Sequence, residues 1–189
     1  MNRLVTIFCT LFFLNYSFSQ EQDIKDNKMK ALIGIGFSSL ELKERNINTN
    51  TYDVTFLYTK KINDIYSVEA GLGWMSNQGG DLTMQTISVP IILKTFFLGK
   101  ENAIYNGFII KPVYNYNLRV EENVDHLLTV SKGGNLLIGA KIGTDININA
   151  DFAFTIELNI LGDVGQFGYK EEKALKFDNL AFLSLGLRF

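Results

Sequence analysis

From Asp151 to Ile160 the chain alternates with period two. Phe152, Phe154, Ile156, Leu158 and Ile160 share one side, and Ala153, Thr155, Glu157 and Asn159 share the other. The end of the chain repeats the pattern, with Ala181, Leu183, Leu185, Leu187 and Phe189 set against Phe182, Ser184, Gly186 and Arg188. Such alternation marks strands, because successive side chains of a strand point to opposite faces. Carried along the chain and punctuated by Gly, Asn and Asp clusters, it predicts eight strands near 29–42, 51–60, 65–76, 83–98, 104–118, 135–143, 150–161 and 177–189. Each is about ten residues or longer, whereas strands of ordinary globular domains average about five or six. A strand of about ten residues is long enough to cross a bilayer at a tilt.

The connections alternate in size. Lys61–Asp64, Gly99–Ala103 and Thr144–Asn149 are tight. Between them come Lys43–Asn50 and Asn77–Leu82, and two long polar loops, Arg119–Gly134 and Gly162–Lys176. Short turns on one side and longer loops on the other is the plan of outer-membrane barrels, with the turns in the periplasm. The predicted fold is therefore all-β: an eight-stranded antiparallel up-and-down transmembrane β-barrel spanning 29–189 as one domain, both ends on the turn side.

Charge placement supports this. Asp53, Glu69, Lys94, Lys111, Lys141, Glu157 and Arg188 lie deep inside strands, all on the face opposite the more apolar one. In a soluble barrel binding an apolar ligand, those charges would face water. In a membrane barrel they would fill the lumen and pair across it. Gly34, Gly36, Gly71, Gly73, Gly107, Gly139, Gly143 and Gly186 share the charged face, which suits the narrow interior of an eight-stranded barrel. Tyr58, Tyr66, Trp74, Tyr114, Tyr116 and Phe189 fall towards strand ends, where interfacial girdles sit. Pro90 and Pro112 lie within strands, although proline cannot donate to a ladder, so a bulge or a skipped hydrogen bond is expected at each.

The amino terminus reads differently. Arg3 precedes the apolar run Leu4–Leu14, and Ser17 and Ser19 stand at the small-residue positions before a cleavage point. Residues 1–19 thus read as a signal peptide, too short to span a bilayer, and 20–28 as a polar lead. Cys9, the sole cysteine, lies inside the apolar run, so the mature chain has no thiol for a disulfide, a metal or catalysis. Of 18 basic residues Arg3 is removed, leaving 17 against 20 acidic ones, so nothing suggests nucleic acid. No later segment is apolar for long enough to make a transmembrane helix.

Chemistry-bearing motifs are few. His126, the only histidine, sits beside Asp125 in the longest loop; an acyl-transfer site would need Ser131 to converge on both. Neighbours on an extended chain point apart, so a solvated loop histidine is the simpler reading. One histidine argues against zinc, and no calcium-loop or phosphate-loop spacing is present. Glu121, Glu122 and Asp125 carry charge enough for divalent ions at a lipopolysaccharide surface, but fit a solvated loop better. No enzyme, cofactor or metal site is expected.

Ser88-Val89-Pro90-Ile91-Ile92-Leu93-Lys94 followed by Phe96-Phe97 resembles the central strand of the PorT-type outer-membrane β-barrel family. The glycine-bearing stretch Leu136–Gly143, the turn Asp145–Asn149 and the strand at Phe152 follow that family's order; Tyr105–Leu118 departs from it in lacking a glycine-rich run. Leu185, Leu187 and Phe189 resemble the terminal assembly signal of outer-membrane barrels. The resemblance implies a non-enzymatic barrel among outer-membrane lipids, inserted by the barrel-assembly machinery. Its implied role lies in envelope structure, surface interaction or protein secretion.

Overall fold

The computed structural model describes residues 27–42, 45–80, 82–97, 104–120, 132–149, 151–169 and 175–189. The expected signal peptide, nearly all of the polar lead, His126, Asp125, Ser131, Glu121 and Glu122 lie outside these residues. Nine strand segments follow in order: β1 (Asn27–Leu42), β2 (Arg45–Lys61), β3 (Tyr66–Gly79), β4 (Leu82–Ser88), β5 (Ile91–Phe96), β6 (Tyr105–Val120), β7 (Gly133–Asn147), β8 (Ala153–Phe167) and β9 (Leu175–Arg188).

All pairings are antiparallel, and the sheet closes. Apart from β4 and β5, which do not pair with each other, neighbours in sequence pair, and β9 returns to β1 through rungs from Lys30↔Arg188 to Leu42↔Leu175. β4 and β5 are two halves of one stave, both held between β3 and β6, so the ring has eight staves. The break between them is one of bonding, since Gly73↔Ser88 and Ala70↔Ile91 keep a single register on β3. Two prolines cause it. The Val89 N–H donates to the Pro112 carbonyl at 3.0 Å and the Gly71 N–H to the Pro90 carbonyl at 3.2 Å. Neither proline has an N–H to give back, so each rung keeps one of its two bonds.

The loop side is tighter than the sequence pattern suggests. β2 starts at Arg45, so most of the expected 43–50 connection is strand, and β3 and β4 approach to Gly79 and Leu82 across the expected 77–82 loop. The long connections shrink likewise, since β6 runs to Val120, β7 starts at Gly133, β8 runs to Phe167 and β9 starts at Leu175. On the turn side β7 continues to Asn147, past the expected turn start at Thr144, and β1 already includes Asn27 and Lys28. Asn46, Asn48, Gln78 and Lys176 stand exposed on these extensions and read as loop, whereas Val164 and Phe167 of β8 are exposed apolar residues there. The tight turns are clasped by asparagines: the Asn63 carboxamide oxygen accepts from the Ile65 and Tyr66 amides, and Asn149 does the same for Asp151 and Phe152.

Three bulges lie towards the loop end. Tyr116, Val164 and Asp178 are the extra residues where the registers β4–β6, β7–β8 and β1–β9 shift. Each restarts the alternation one residue later, which increases twist.

The two faces change character along the axis. Outside, about the ten positions of each stave nearest the turns are mostly apolar, as on a bilayer-spanning strand. Ile33, Phe37, Phe56, Leu72, Phe108, Ile160 and Leu185 all stand exposed there. Beyond them the outer residues turn polar on several staves, where Asn46, Asn48, Asn50, Gln78 and Lys176 are exposed, while Val164 and Phe167 of β8 stay apolar. Inside, charges gather nearest the turns. Towards the loop end the lumen is packed with Leu40, Leu82, Met84, Leu175, Phe177 and Leu180, all nearly inaccessible. On the staves with a polar exterior the loop-end third is thus built like a water-soluble barrel, and the rest like its inverse.

Glycine lets the wall bend. A Cβ on Gly71 would lie 1.8 Å from the Phe56 carbonyl oxygen, and one on Gly139 would lie 2.0 Å from that of Ile160. The space these glycines save is therefore against the adjacent strand's backbone, where the sheet curls, as well as in the lumen. Gly71→Val should sharply lower the folded fraction, judged by the faster migration of unheated barrel on a detergent gel. Gly165→Val should not, because a Cβ there meets nothing within 4 Å.

Candidate functional site

Inward positions of β1, β3, β5, β7, β8 and β9 bring ionisable side chains to one place near the turn end. Glu69 of β3 is the hub: the ammonium groups of Lys30, Lys141 and Lys94 lie 2.9, 2.9 and 3.2 Å from its carboxylate. The Thr59 hydroxyl also donates to it at 3.3 Å. Glu157 accepts from Lys30 and Lys141, both at 3.0 Å, and from the Tyr105 hydroxyl at 2.7 Å. Asp145 accepts from the Thr155 hydroxyl at 2.6 Å and from the Arg188 guanidinium at 3.2 Å, with Lys94 at 3.5 Å. Arg188 spans a second acceptor, Asn147, at 2.9 Å. All these charged side chains are buried.

The cluster holds four cations (Lys30, Lys94, Lys141, Arg188) against three carboxylates (Glu69, Asp145, Glu157). Tyr105 helps to accommodate the surplus. Its ring lies inside the lumen with no exposure, and the Lys94 ammonium sits 3.5 Å from the ring centroid. An aromatic face attracts a desolvated cation, and Phe96 offers a second ring at 5.1 Å. A separate neutral pair lies higher, where Lys111 meets Asp53 at 2.5 Å and the Thr55 hydroxyl donates to the same carboxylate at 2.6 Å. Leu32, Leu57, Ile92, Ile109 and Phe182 line the space between the pair and the cluster, a pocket large enough for about one water.

Of the residues singled out by sequence, Glu69, Lys94, Lys141, Glu157 and Arg188 meet in the basal cluster, while Asp53 and Lys111 form the upper pair. Lys30 and Asp145 complete the cluster and were missed. Asp145 had been assigned to a turn, yet it continues the phase of Lys141 and Gly143 by one more step of two. Lys30 follows Lys28 at the edge of the polar lead, but shares the phase of Gly34 and Gly36. Tyr105 was invisible because tyrosine at a strand end reads as girdle.

Leu185, Leu187 and Phe189 point outward, each nearly half exposed. Phe189 is tied to β1 by backbone bonds with Met29 in both directions, at 2.6 and 2.8 Å, and its ring lies 6.4 Å from that of Phe152. Tyr58, Tyr66, Trp74, Tyr114 and Tyr116 are likewise on the outer surface. At the loop end, Tyr169 reaches inward to Asn115 and Asn135, and burial pushes its phenol above the ordinary tyrosine range. Among the described residues no three His, Cys, Asp or Glu side chains form a metal-binding group. Each carboxylate of the cluster is already occupied by ammonium or guanidinium groups.

No family model and no curated protein matches the sequence. Solved structures do match in shape. Neisserial surface protein A superposes with a TM-score of 0.57 at 11% identity, over 86% of this chain and 96% of that one. The fold is that of a small outer-membrane β-barrel. OprG from Pseudomonas aeruginosa gives a TM-score of 0.48 at 11% identity, over 88% of this chain and 99% of its own.

The hub of the barrel's ion lattice should be its most sensitive polar position. Glu69→Gln leaves three ammonium groups short of a counter-charge and should destabilise the folded barrel by about 3–5 kcal/mol. Asp64→Asn, which loses only the exposed partner of Lys61 at 2.9 Å, should cost under about 1 kcal/mol. Urea unfolding in lipid vesicles, followed by tryptophan emission, measures both. Equal stability of the two variants would contradict the hub assignment.

Proposed function

We propose that this protein is a non-enzymatic integral barrel of the outer membrane, acting as a sealed structural or surface-interaction element of the envelope. The observation that carries the reading is radial: an apolar outer belt runs round the staves at the height where charges are buried inside. A monomeric soluble protein rarely exposes an apolar patch beyond a few hundred Å². Here Ile33, Ile35, Phe37, Phe56, Leu72 and Phe108 extend such a surface across four staves. Lipid satisfies that belt, and the closed ladder leaves no backbone edge within it.

The lumen supports a sealed role over conduction. Ion pairs occupy its turn end, apolar side chains and the hydrogen-bonded Ser38, Thr49, Thr51 and Asn77 occupy its loop end, and an eight-stranded barrel has an interior only wide enough for side chains. The same filling weighs against the alternative, a soluble periplasmic barrel holding an apolar ligand, because such a ligand needs an apolar cavity. The likeness of Ser88–Lys94 to PorT-type barrels supports assistance to envelope assembly or protein secretion as the cellular role. On this reading residues 1–19 are removed on export, the barrel-assembly machinery recognises Leu185, Leu187 and Phe189, and the connections around 121–132 and 170–174 face outside.

Fractionation with a heat-modifiability gel tests the reading. The protein should co-purify with outer membranes and migrate faster before boiling than after. Leu185→Arg puts a cation in the lipid-facing belt, costs about 2–4 kcal/mol at mid-depth, and should abolish most of the folded band. Recovery of wild-type or Leu185→Arg protein as a folded, soluble periplasmic species would establish the alternative.

Topology has its own test. An epitope inserted between Val124 and Asp125 should be labelled by antibody on intact cells. Labelling only after the outer membrane is opened would mean the barrel sits the other way round.

A further inference from the structure

Opposite walls of the barrel differ at one height. Asn50 stands eleven residues (61 − 50) above the turn-end residue of β2, Lys61, and Asn48 and Asn46 continue upward, all exposed. Val164 stands the same eleven residues (164 − 153) above the turn-end residue of β8, Ala153, and Phe167 follows it. These two are apolar, yet 61% and 50% exposed. Four staves of the eight separate β2 from β7 and β3 from β8, so the contrast runs across the diameter. The β9–β1 wall is polar as well, with Lys176 bridging Glu41 at 3.4 Å and Asp178 at 3.2 Å.

On β8 the apolar strip climbs without a polar break. Leu158 and Ile160 are exposed in the belt, Gly162 interposes no side chain, and Val164 and Phe167 carry the strip upward. The polar residues between them are engaged elsewhere: Asp163 accepts from the Phe177 N–H at 3.3 Å, and Gln166 donates to the Leu175 carbonyl at 3.1 Å. Gly134 of β7 seats the upper end, because a Cβ there would lie 2.2 Å from the Phe167 ring. That ring therefore lies over the wall, on the rung that continues to Tyr114. On β2 the apolar outer strip covers only the seven residues from Tyr52 to Tyr58, bounded by the exposed Asn50 and Lys60. A crossing strand needs about 9–11 residues. Hydrocarbon thins beside a wall that is too short and rises beside one that is long. A patch built for a protein partner carries a polar rim, and none separates Ile160 from Val164.

We infer that the β7–β8 wall binds acyl chains of the outer leaflet as high as Phe167, while the opposite β2 wall holds the same leaflet down to Tyr52. The barrel thus sets the lipid surface at two levels on its two sides. This rests on the outer-membrane placement proposed above.

The mature chain has no cysteine, so single introduced cysteines report without background. Val164→Cys and Phe167→Cys on one wall, and Asn50→Cys and Asn48→Cys on the other, are labelled with a polarity-sensitive fluorophore. The full-length mature protein is used in phosphatidylcholine vesicles, with Leu185→Cys as the belt reference. Labels replacing Val164 and Phe167 should lose most of their emission to phosphatidylcholine brominated on its acyl chains, and little to aqueous iodide. Labels replacing Asn50 and Asn48 should show the reverse. Two positions on each wall keep the comparison if one variant fails to give the fast-migrating band of a folded barrel. Equal quenching on the two walls, or iodide quenching at Val164 and Phe167, overturns the lipid-binding wall. Protection of those two labels from both quenchers marks contact with a second copy and overturns it too. Iodide quenching of the Leu185 label, or absence of the fast-migrating band from the unsubstituted protein, overturns the membrane placement itself.

Discussion

A sheet that turns its apolar face outward cannot leave an edge. In hydrocarbon an unpaired N–H or C=O costs several kcal/mol, so every stave needs a partner on both sides. Here the thirteen rungs between β1 and β9 supply the closure, running from Lys30↔Arg188 to Leu42↔Leu175. Closure has consequences for the interior. Eight staves enclose a space only as wide as two opposed side chains, so inward residues meet each other and must be chosen as a set. Glycines at Gly71 and Gly139 allow the curl, and the two prolines are tolerated because each removes one bond from a rung that keeps its other, Pro90 on the β3 side of its stave and Pro112 on the far side.

The ion lattice follows from that narrowness. Removing ions from water is costly, and their attraction offsets the loss only when geometry and additional hydrogen bonds are good. Glu69, Asp145 and Glu157 each accept from at least one hydroxyl as well as from cations, which meets that condition. Replacing such a lattice by well-packed aliphatic residues is often neutral or better for stability. Its merit here lies in discrimination: an inward phase lined with lysine and glutamate cannot slip by one residue, because the slip would put those charges into lipid. Register is strongly set wherever a one-residue shift exchanges the two faces.

Much of this was legible in the sequence, and the omissions share a cause. Period two located all eight staves, since lipid outside and charge inside give the strongest possible alternation. It failed where alternation itself changes. Phe177 has the phase of Ala181 and Leu183 and would be read as outward, yet it is wholly buried, because the bulge at Asp178 restarts the count. Nothing in Phe177-Asp178-Asn179 announces a bulge. Asn46, Asn48 and Asn50 read as loop because strand propensity is low for asparagine, but the ladder with β1 overrides it. Asp145 and Lys30 were missed as members of the charge cluster because each lies within a few residues of a stave's end, where polar residues ordinarily signal a turn.

The reversal of the barrel's two faces along its axis ties these features together. At the turn end the surroundings are apolar and the interior is charged; at the loop end Leu40, Leu82, Met84, Leu175 and Phe177 share the interior with a hydrogen-bonded set of Ser38, Thr49, Thr51 and Asn77. The bulges at Tyr116, Val164 and Asp178 lie towards the loop end, and the one at Asp178 re-aims the alternation so that Phe177 and Leu175 turn inward. A barrel that only spanned the bilayer would need none of this, since about ten residues per strand suffice for the crossing. β1 and β2 have 16 and 17. The additional length makes a rigid collar above the belt, stabilised by its own apolar interior. Such a collar holds its outer residues at fixed heights, which a flexible loop of the same composition would not do.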